Sequence, residues 1–474
     1  MLLGAIALVA ATRRAPPFRE ISDGAILEIY TLEAIRGTQL LGPYSRFGWH
    51  HPGPFYFYLL APWYWLSGLR TAGMQAGALA INLTAMWLIV RTTIACASVP
   101  TAIAVSGFSA WYAFRAGDMA VSAWNPHVIV LPLMAFIVLS AAMAADPRRA
   151  YLLALVAVGA FLAQTHLAMI PIVAVLGAGI AWTGRGLSRA TWAYAAGLKL
   201  LLWTPPLVEQ ITHRPGNLVA IVRFFVSAGR GQASSSALSA WASSLTAAFR
   251  PEFRLPLGAE YIAEPGWFLP VAATSVVGVL VALALMGRRR TPFETALLLM
   301  CAAAAIVAFL ATTRIQGDIV DHEIFWMSGI GVLAISAVVG FVATLSGVAS
   351  RAIRVASMAS VLAWLLVALV GADGMRHVLD RRRTLDDHAV DVVFEQIEAY
   401  RAVSGVRKPR FEIEPPIWPI AAGALLQIDK MGMPFAVGER WAPMFGERFA
   451  ATGREDGTAV IGGSAVSPSI TPVR

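Results

Sequence analysis

The chain has 474 residues, 57% of them hydrophobic and 14% charged, with a mean hydropathy of +0.65; this composition excludes a soluble globular domain and defines a polytopic membrane protein. A formal charge of +9 does not point to nucleic acid, because the basic residues fall in short clusters between apolar runs, the positive-inside arrangement rather than a binding face. The two cysteines, Cys96 and Cys301, both lie in apolar segments and imply neither a disulfide framework nor a thiolate metal site.

Residues 1–12 are apolar but shorter than the roughly 20 residues a spanning helix needs, and no basic flank precedes them. They read as a clipped first helix ending near Arg13, not as a cleavable signal. Residues 21–68 then carry Asp23, Glu28, Glu33, Arg36, Arg46, His50 and His51 before an aromatic run, FYFYLLAPWYWLSG, takes over. A loop this long and this charged beside lipid exceeds what a connector needs and reads as a site. The aromatic run, residues 54–68, is short and has Pro62 in its middle; it reads as a helix lying at the membrane surface.

Spans follow at about 72–90 and from Pro100 to about 114, delivering Arg115 and Asp118 to the side of Asp23. The apolar run 126–145 ends at Asp146, Arg148 and Arg149. Residues 151–182 suffice for two helices, interrupted near Gln164, Thr165 and His166. Residues 190–207 cross back, with Lys199, one of three lysines in the chain, near mid-span, where it either snorkels or lines a lipid carrier's groove. A long polar loop, 209–266, contains the low-complexity GRGQASSSALSAWASS. Spans 267–286 and 293–311 flank three arginines at 288–290 and lead to Asp318, Asp321, His322 and Glu323; spans 324–345 and 355–370 complete about eleven helices. Asn82-Leu83-Thr84 fits a glycosylation sequon but falls inside a span, and no internal repeat is visible.

With the aromatic run on the surface, Arg91, Arg148, Arg149, Arg185, Arg189, Arg351 and Arg354 share one side with the 288–290 cluster, which the charge rule makes cytoplasmic. Asp23, Asp118, Asp318 and Asp321 share the other. Arg13 and Arg14 run against the rule. Beyond Gly371 the composition changes. Residues 390–402 are amphipathic, 411–414 alternate like a strand, 418–431 read as a helix closed by Gly432, and 434–437 as a second strand, a β-α-β unit outside the cytoplasm with a poorly ordered tail from Thr452. The expected organisation is an all-α membrane domain, 1–372, with external loops 13–70, 115–125, 208–266 and 312–323, and a small extracytoplasmic α/β domain, 373–474.

An acid early in the first external loop, a Pro-containing aromatic segment at its end, a second external acid and an outer C-terminal domain together resemble the GT-C superfamily of integral membrane glycosyltransferases. The resemblance is in particular to bacterial members similar to aminoarabinose transferases and protein mannosyltransferases. The resemblance implies that Asp23, in SDGAILEIY, is the catalytic carboxylate, and it matches Asp118, in FRAGDMAVSAWNPH, to the second-loop acid. Where aminoarabinose-type relatives carry a Lys-Pro-Pro-type motif, this chain has His51-Pro52-Gly53-Pro54, without the lysine. The implied activity is inverting transfer of a sugar from a polyprenyl-phosphate donor to a glycan, lipid or protein acceptor at the outer face of a bacterial cytoplasmic membrane. Such a step needs a base for the attacking group and donors for the departing phosphate. Candidates for phosphate or substrate contact are Arg46, His50, His51, Arg115, Lys199, Asp321 and His322, with Asp318, Glu323, Gln164 and His166 as further wall residues. Paired acids with histidine are compatible with a divalent cation, although no ligand spacing demands one. The 209–266 loop is expected to order on the lipid donor, and the aromatic segment to cradle its prenyl chain. Two other classes fit the composition: a transporter or flippase of lipid-linked sugars, and a non-catalytic cell-envelope assembly protein.

Overall fold

The structure, a computed structural model, describes residues 2–15, 17–227, 229, 231–251, 253, 268–287, 291–346 and 353–473. In chain order the helices are α1 (Leu2–Arg14), α2 (Ser22–Ile35), α3 (Phe55–Leu66), α4 (Thr71–Cys96), α5 (Val99–Ala116), α6 (Asn125–Val128), α7 (Val130–Ala145), α8 (Arg149–Thr165), α9 (Met169–Thr183) and α10 (Arg189–Thr212). They continue with α11 (Asn217–Ser227), α12 (Ser234–Thr246), α13 (Phe268–Gly287), α14 (Pro292–Thr312), α15 (Asp321–Ile324), α16 (Met327–Leu345) and α17 (Ile353–Leu379). The C-terminal part runs α18 (Leu385–Ser404), β1 (Pro409–Ile413), α19 (Trp418–Lys430), β2 (Ala436–Val437), α20 (Ala442–Phe445), β3 (Gly457–Gly463) and β4 (Pro468–Val473).

Packing divides the chain into two units, Met1–Gly77 with Met375–Arg474, and Ala78–Gly374. The first 77 residues pack with the C-terminal part.

In the first of these units, α2 corrects the reading of 21–68 as loop. Its apolar residues form no single stripe, so the sequence lacks the amphipathic signal; the reason is that every residue from Ala25 to Ala34 is buried. The helix α3 spans 12 residues, about 18 Å, which is too short to cross roughly 30 Å of hydrocarbon. The C-terminal sheet has strand order β2-β1-β3-β4. Strand β1 pairs in parallel with both β2 and β3, in the register Arg410↔Ala436 and Ile413↔Ile461. The expected β-α-β crossover is thus present as β1-α19-β2, with Gly432 (φ 70°) leaving the helix in the left-handed conformation that glycine tolerates. The tail does not lack order: β3 and β4 form an antiparallel hairpin, Ile461 facing Ile470, turned at Gly463 (φ 90°). Helix α18 starts with a capping box in which Thr384 and Asp387 satisfy each other's backbone N–H.

In the other unit, seven helices among the described residues of the chain are long and apolar enough to cross a membrane, against about eleven expected. Helices α5, α8 and α10 stand outside that set; α8 has 17 residues, and α10 carries Arg189, Lys199 and Glu209 with Pro205 and Pro206. The stretch Asn125–Ala145 is 89% buried and forms the centre, whereas Phe268–Gly287 is 17% buried and presents its sides outward. The interruption expected near 164–166 is there, between α8 and α9. The 209–266 segment is not simply a polar loop. Its serine-rich part folds as α12, with Trp241 and Leu245 buried, and α11 precedes it, its first turn capped by Glu209 through Asn217 N–H at 2.9 Å. The rest of that segment, 254–266, together with Arg351 and the 288–290 cluster, lies outside the described residues.

Candidate active site

Asp23 sits in the first turn of α2, directly after Ser22, which is held at φ 53°. A non-glycine residue in that region stores strain of about 1–3 kcal/mol, and such positions concentrate at functional sites. The carboxylate is half-buried and its Oδ1 accepts the hydroxyl proton of Tyr44. Two turns further along α2, on the same face, Tyr30 donates to the carbonyl of Met444 and lies 3.2 Å from His50 Nε2. Tyr44 and His50 are cross-strand partners in a short hairpin, closed by Ser45 N–H on Trp49 O at 2.9 Å and His51 N–H on Pro43 O at 2.8 Å. Gly48 (φ 81°) makes its turn.

The electrostatics follow from enclosure. Burial, reinforced by the Asp23 charge, pushes the phenols of Tyr30 and Tyr44 well above the usual tyrosine range, so both remain protonated donors. Burial lowers His50 to about 4, opposed by its hydrogen bond to the Pro443 carbonyl. At neutral pH this imidazole is uncharged and acts as a hydrogen-bonding group rather than a cation. His51 is likewise buried, edge-on to Trp49 at 5.7 Å, while Arg46 is exposed at the hairpin tip with its guanidinium 4.9 Å from the Phe47 ring.

The remaining charges of the 21–68 stretch serve another end. Glu28, 1% exposed, pairs with Lys430 at 2.8 Å and accepts from Tyr64 at 2.9 Å. Glu33 and Asp429 share two guanidiniums: Arg36 reaches them at 2.5 and 2.9 Å, and Arg448 bonds both. Arg19 extends the network to Asp391 at 2.8 Å and Gln427 at 2.7 Å, with its backbone N–H on Asp387. These groups fix α2 against α18, α19 and the 447–449 turn, and thereby place Asp23.

The other expected site residues belong to residues 78–374 and are described within that unit. Asp118 is exposed on the 3-10 turn Gly117–Ala120, whose carbonyls at Met119 and Ala120 accept from Asn82 at 3.4 and 3.2 Å. Arg115 donates to the Arg250 carbonyl at 2.5 Å and faces the Phe253 ring at 5.7 Å. His322 stacks obliquely on Trp124, with centroids 5.2 Å apart. His166, lowered to about 3 by burial and by the neighbouring His322, stays neutral. Asp321 is 4% exposed at the start of α15. Gln164 donates to Leu202 O at 2.9 Å and ties α8 to α10. Lys199 stands apart on the exposed face of α10, away from the unit's interior. Among the described residues no three His, Cys, Asp or Glu side chains stand together as a metal-holding group.

Sequence reasoning missed Tyr30, Tyr44, Asp429 and Arg448. Two signals existed for the tyrosines: Tyr30 follows Asp23 by seven residues, two helical turns, and Tyr44 and His50 flank the Gly48 turn. No local signal pairs Glu33 with residues some four hundred positions away.

No family model matches the chain, and no curated protein does. Solved structures similar to it include those of ArnT from Cupriavidus metallidurans in the apo state and bound to undecaprenyl phosphate. Each is 14% identical over 97% of this chain and 92% of its own, with TM-scores of 0.47 and 0.48.

Proposed function

We propose that this chain is an inverting glycosyltransferase of the bacterial cytoplasmic membrane that moves a sugar from a polyprenyl-phosphate donor to a cell-envelope glycan, lipid or protein at the outer face. The observation that carries the reading is the Asp23 carboxylate, half-buried after a strained residue, held by a phenol donor and set on a helix locked by buried ion pairs. An acid so placed is suited to general-base work. The acceptor's O–H or N–H proton passes to Asp23 as its oxygen or nitrogen bonds to the sugar's anomeric carbon. The bond from that carbon to the phosphate oxygen breaks, and polyprenyl phosphate leaves with the electron pair. Attack opposite the leaving group inverts the anomeric centre.

The departing phosphate needs cationic or hydrogen-bonding partners. Arg46 and His51 are assigned to it from the hairpin. Within residues 78–374, Arg115, Asp118, Asp321 and His322 are assigned to substrate handling. The lateral face of α3, with Trp65 63% exposed, suits an isoprenoid chain at the interface. Residues 375–474 are proposed to stand outside the cytoplasm.

The test uses the full chain in liposomes of bacterial lipid, supplied in turn with undecaprenyl-phosphate-linked mannose, glucose and aminoarabinose and with a solubilised cell-envelope extract as acceptor source. The expected result is release of undecaprenyl phosphate with transfer of one of these sugars in inverted configuration, read by NMR. Transfer with retained configuration, or movement of intact donor across the bilayer without transfer, would contradict the proposal.

A further inference from the structure

We infer that Tyr44 is a positioning residue for the Asp23 carboxylate, presented by a hairpin that is pinned to α2 at two points. The inference deepens the proposed function and rests on its reading of Asp23 as the base.

The argument is geometric. Asp23 and Tyr30 lie seven residues apart on one face of α2, a rise of about 10.5 Å. Facing them, Tyr44 and His50 stand opposite each other across the hairpin, as a non-hydrogen-bonded pair whose side chains leave the strands on one side. Tyr44 donates to Asp23 and His50 lies 3.2 Å from Tyr30, so two helix side chains face two hairpin side chains in matched pairs. The second pair is fixed independently of Asp23, since Tyr30 donates to Met444 O and His50 is bonded to Pro443 O. Losing the Tyr44 hydroxyl therefore leaves the hairpin anchored through His50 and Tyr30.

What the hydroxyl supplies is chemical. A donor to a carboxylate oxygen favours the ionised form, the one able to accept a proton, and fixes the plane in which the carboxylate lies. Because Tyr44 is held as a neutral phenol by burial and by the Asp23 charge, it donates throughout the working pH range. Removing the donor takes that preference away, and the acid limb of a pH–rate profile is expected at higher pH.

The experiment compares wild type with Tyr44→Phe in liposomes, following undecaprenyl phosphate release from undecaprenyl-phosphate-linked mannose and, in parallel, aminoarabinose. Tyr58→Phe serves as a control, since its hydroxyl donates to Gln39 O at 3.0 Å and not to Asp23. The expected result for Tyr44→Phe is a kcat about tenfold lower, KM for donor within about twofold, and an acid limb displaced upward; Tyr58→Phe leaves the limb in place. Incorporating 3,5-difluorotyrosine at position 44, a stronger donor of nearly the same shape, moves the limb the opposite way and keeps the test alive if Tyr44→Phe folds poorly. An unmoved limb in both substituted proteins, or a loss confined to KM, overturns the inference. Full activity of Asp23→Asn overturns instead the reading beneath it, and the two failures are therefore distinct.

Discussion

Two carboxylates near α2 are both raised by burial but differ in their direct partners. Asp429 is fully buried, and burial raises its pKa against the opposing pull of Arg36. With Glu33, Arg36 and Arg448 it makes a set of two acids and two bases. Asp429→Asn leaves two half-exposed guanidiniums sharing one carboxylate, and the expected cost is about 1–3 kcal/mol in thermal or denaturant unfolding of the detergent-solubilised protein. Glu20, one turn before α2, is raised to about 7, first by burial and then by the Glu28 charge, with Arg381 and Lys430 opposing and Asp387 reinforcing. Its ordinary value is 4.5, so between pH 4.5 and about 7 the unfolded carboxyl ionises while the folded one keeps its proton. The stability this group contributes is present below that window and is lost as pH rises through it. Glu20→Gln is expected to flatten the stability profile between those values and to gain of the order of 2 kcal/mol at pH 8. A profile unchanged by the substitution would show that Glu20 titrates normally.

At the scale of elements, the close approach of α19 to the chain entering α2 has a direct consequence. A Cβ on Gly423 would come within 2.5 Å of the Glu20 carbonyl oxygen, a backbone atom that cannot swing aside. Gly423→Ala is expected to destabilise the protein by about 1–3 kcal/mol and to lower transfer by displacing the turn that bears Asp23; equal activity and stability in the variant would contradict that packing. The elements also separate what a sequence can disclose from what it cannot. Strand β1 alternates in burial, α19 ends at a left-handed glycine, and β2 follows at once, so local chemistry alone yields the β-α-β unit. Helix α2 has no polar face because α3, α19, α20 and the hairpin enclose it, and its charges mimic a loop until their distant partners are known. The serine-rich run reads as low complexity, yet Ala237, Ala240, Trp241 and Leu245 recur at helical spacing and bury one side of α12. The final hairpin was hidden by its Gly, Ser and Pro content, although β3 carries the buried Ala459 and Ile461 in alternation.

For the molecule as a whole, hydropathy and charge made the membrane class legible at once, since neither depends on knowing which side chains meet. The candidate site was legible only as residue types. Asp23 and His50 were singled out, but the phenols that connect them are ordinary tyrosines in a tyrosine-rich stretch, and only the fold gives them direction. The positive-inside pattern makes a testable statement about sidedness. In a Cys96→Ser, Cys301→Ser background, a membrane-impermeant maleimide is expected to label Arg46→Cys in intact cells and Arg185→Cys only after permeabilisation; both positions are exposed. The reverse pattern would put the hairpin in the cytoplasm and remove the outer-face reaction. The most direct test of the account is a single-turnover experiment in liposomes with undecaprenyl-phosphate-linked sugar bound to wild type and to Asp23→Asn. The account predicts that the variant binds donor with unchanged affinity but releases undecaprenyl phosphate about 10²- to 10⁴-fold more slowly; release at the wild-type rate would contradict it.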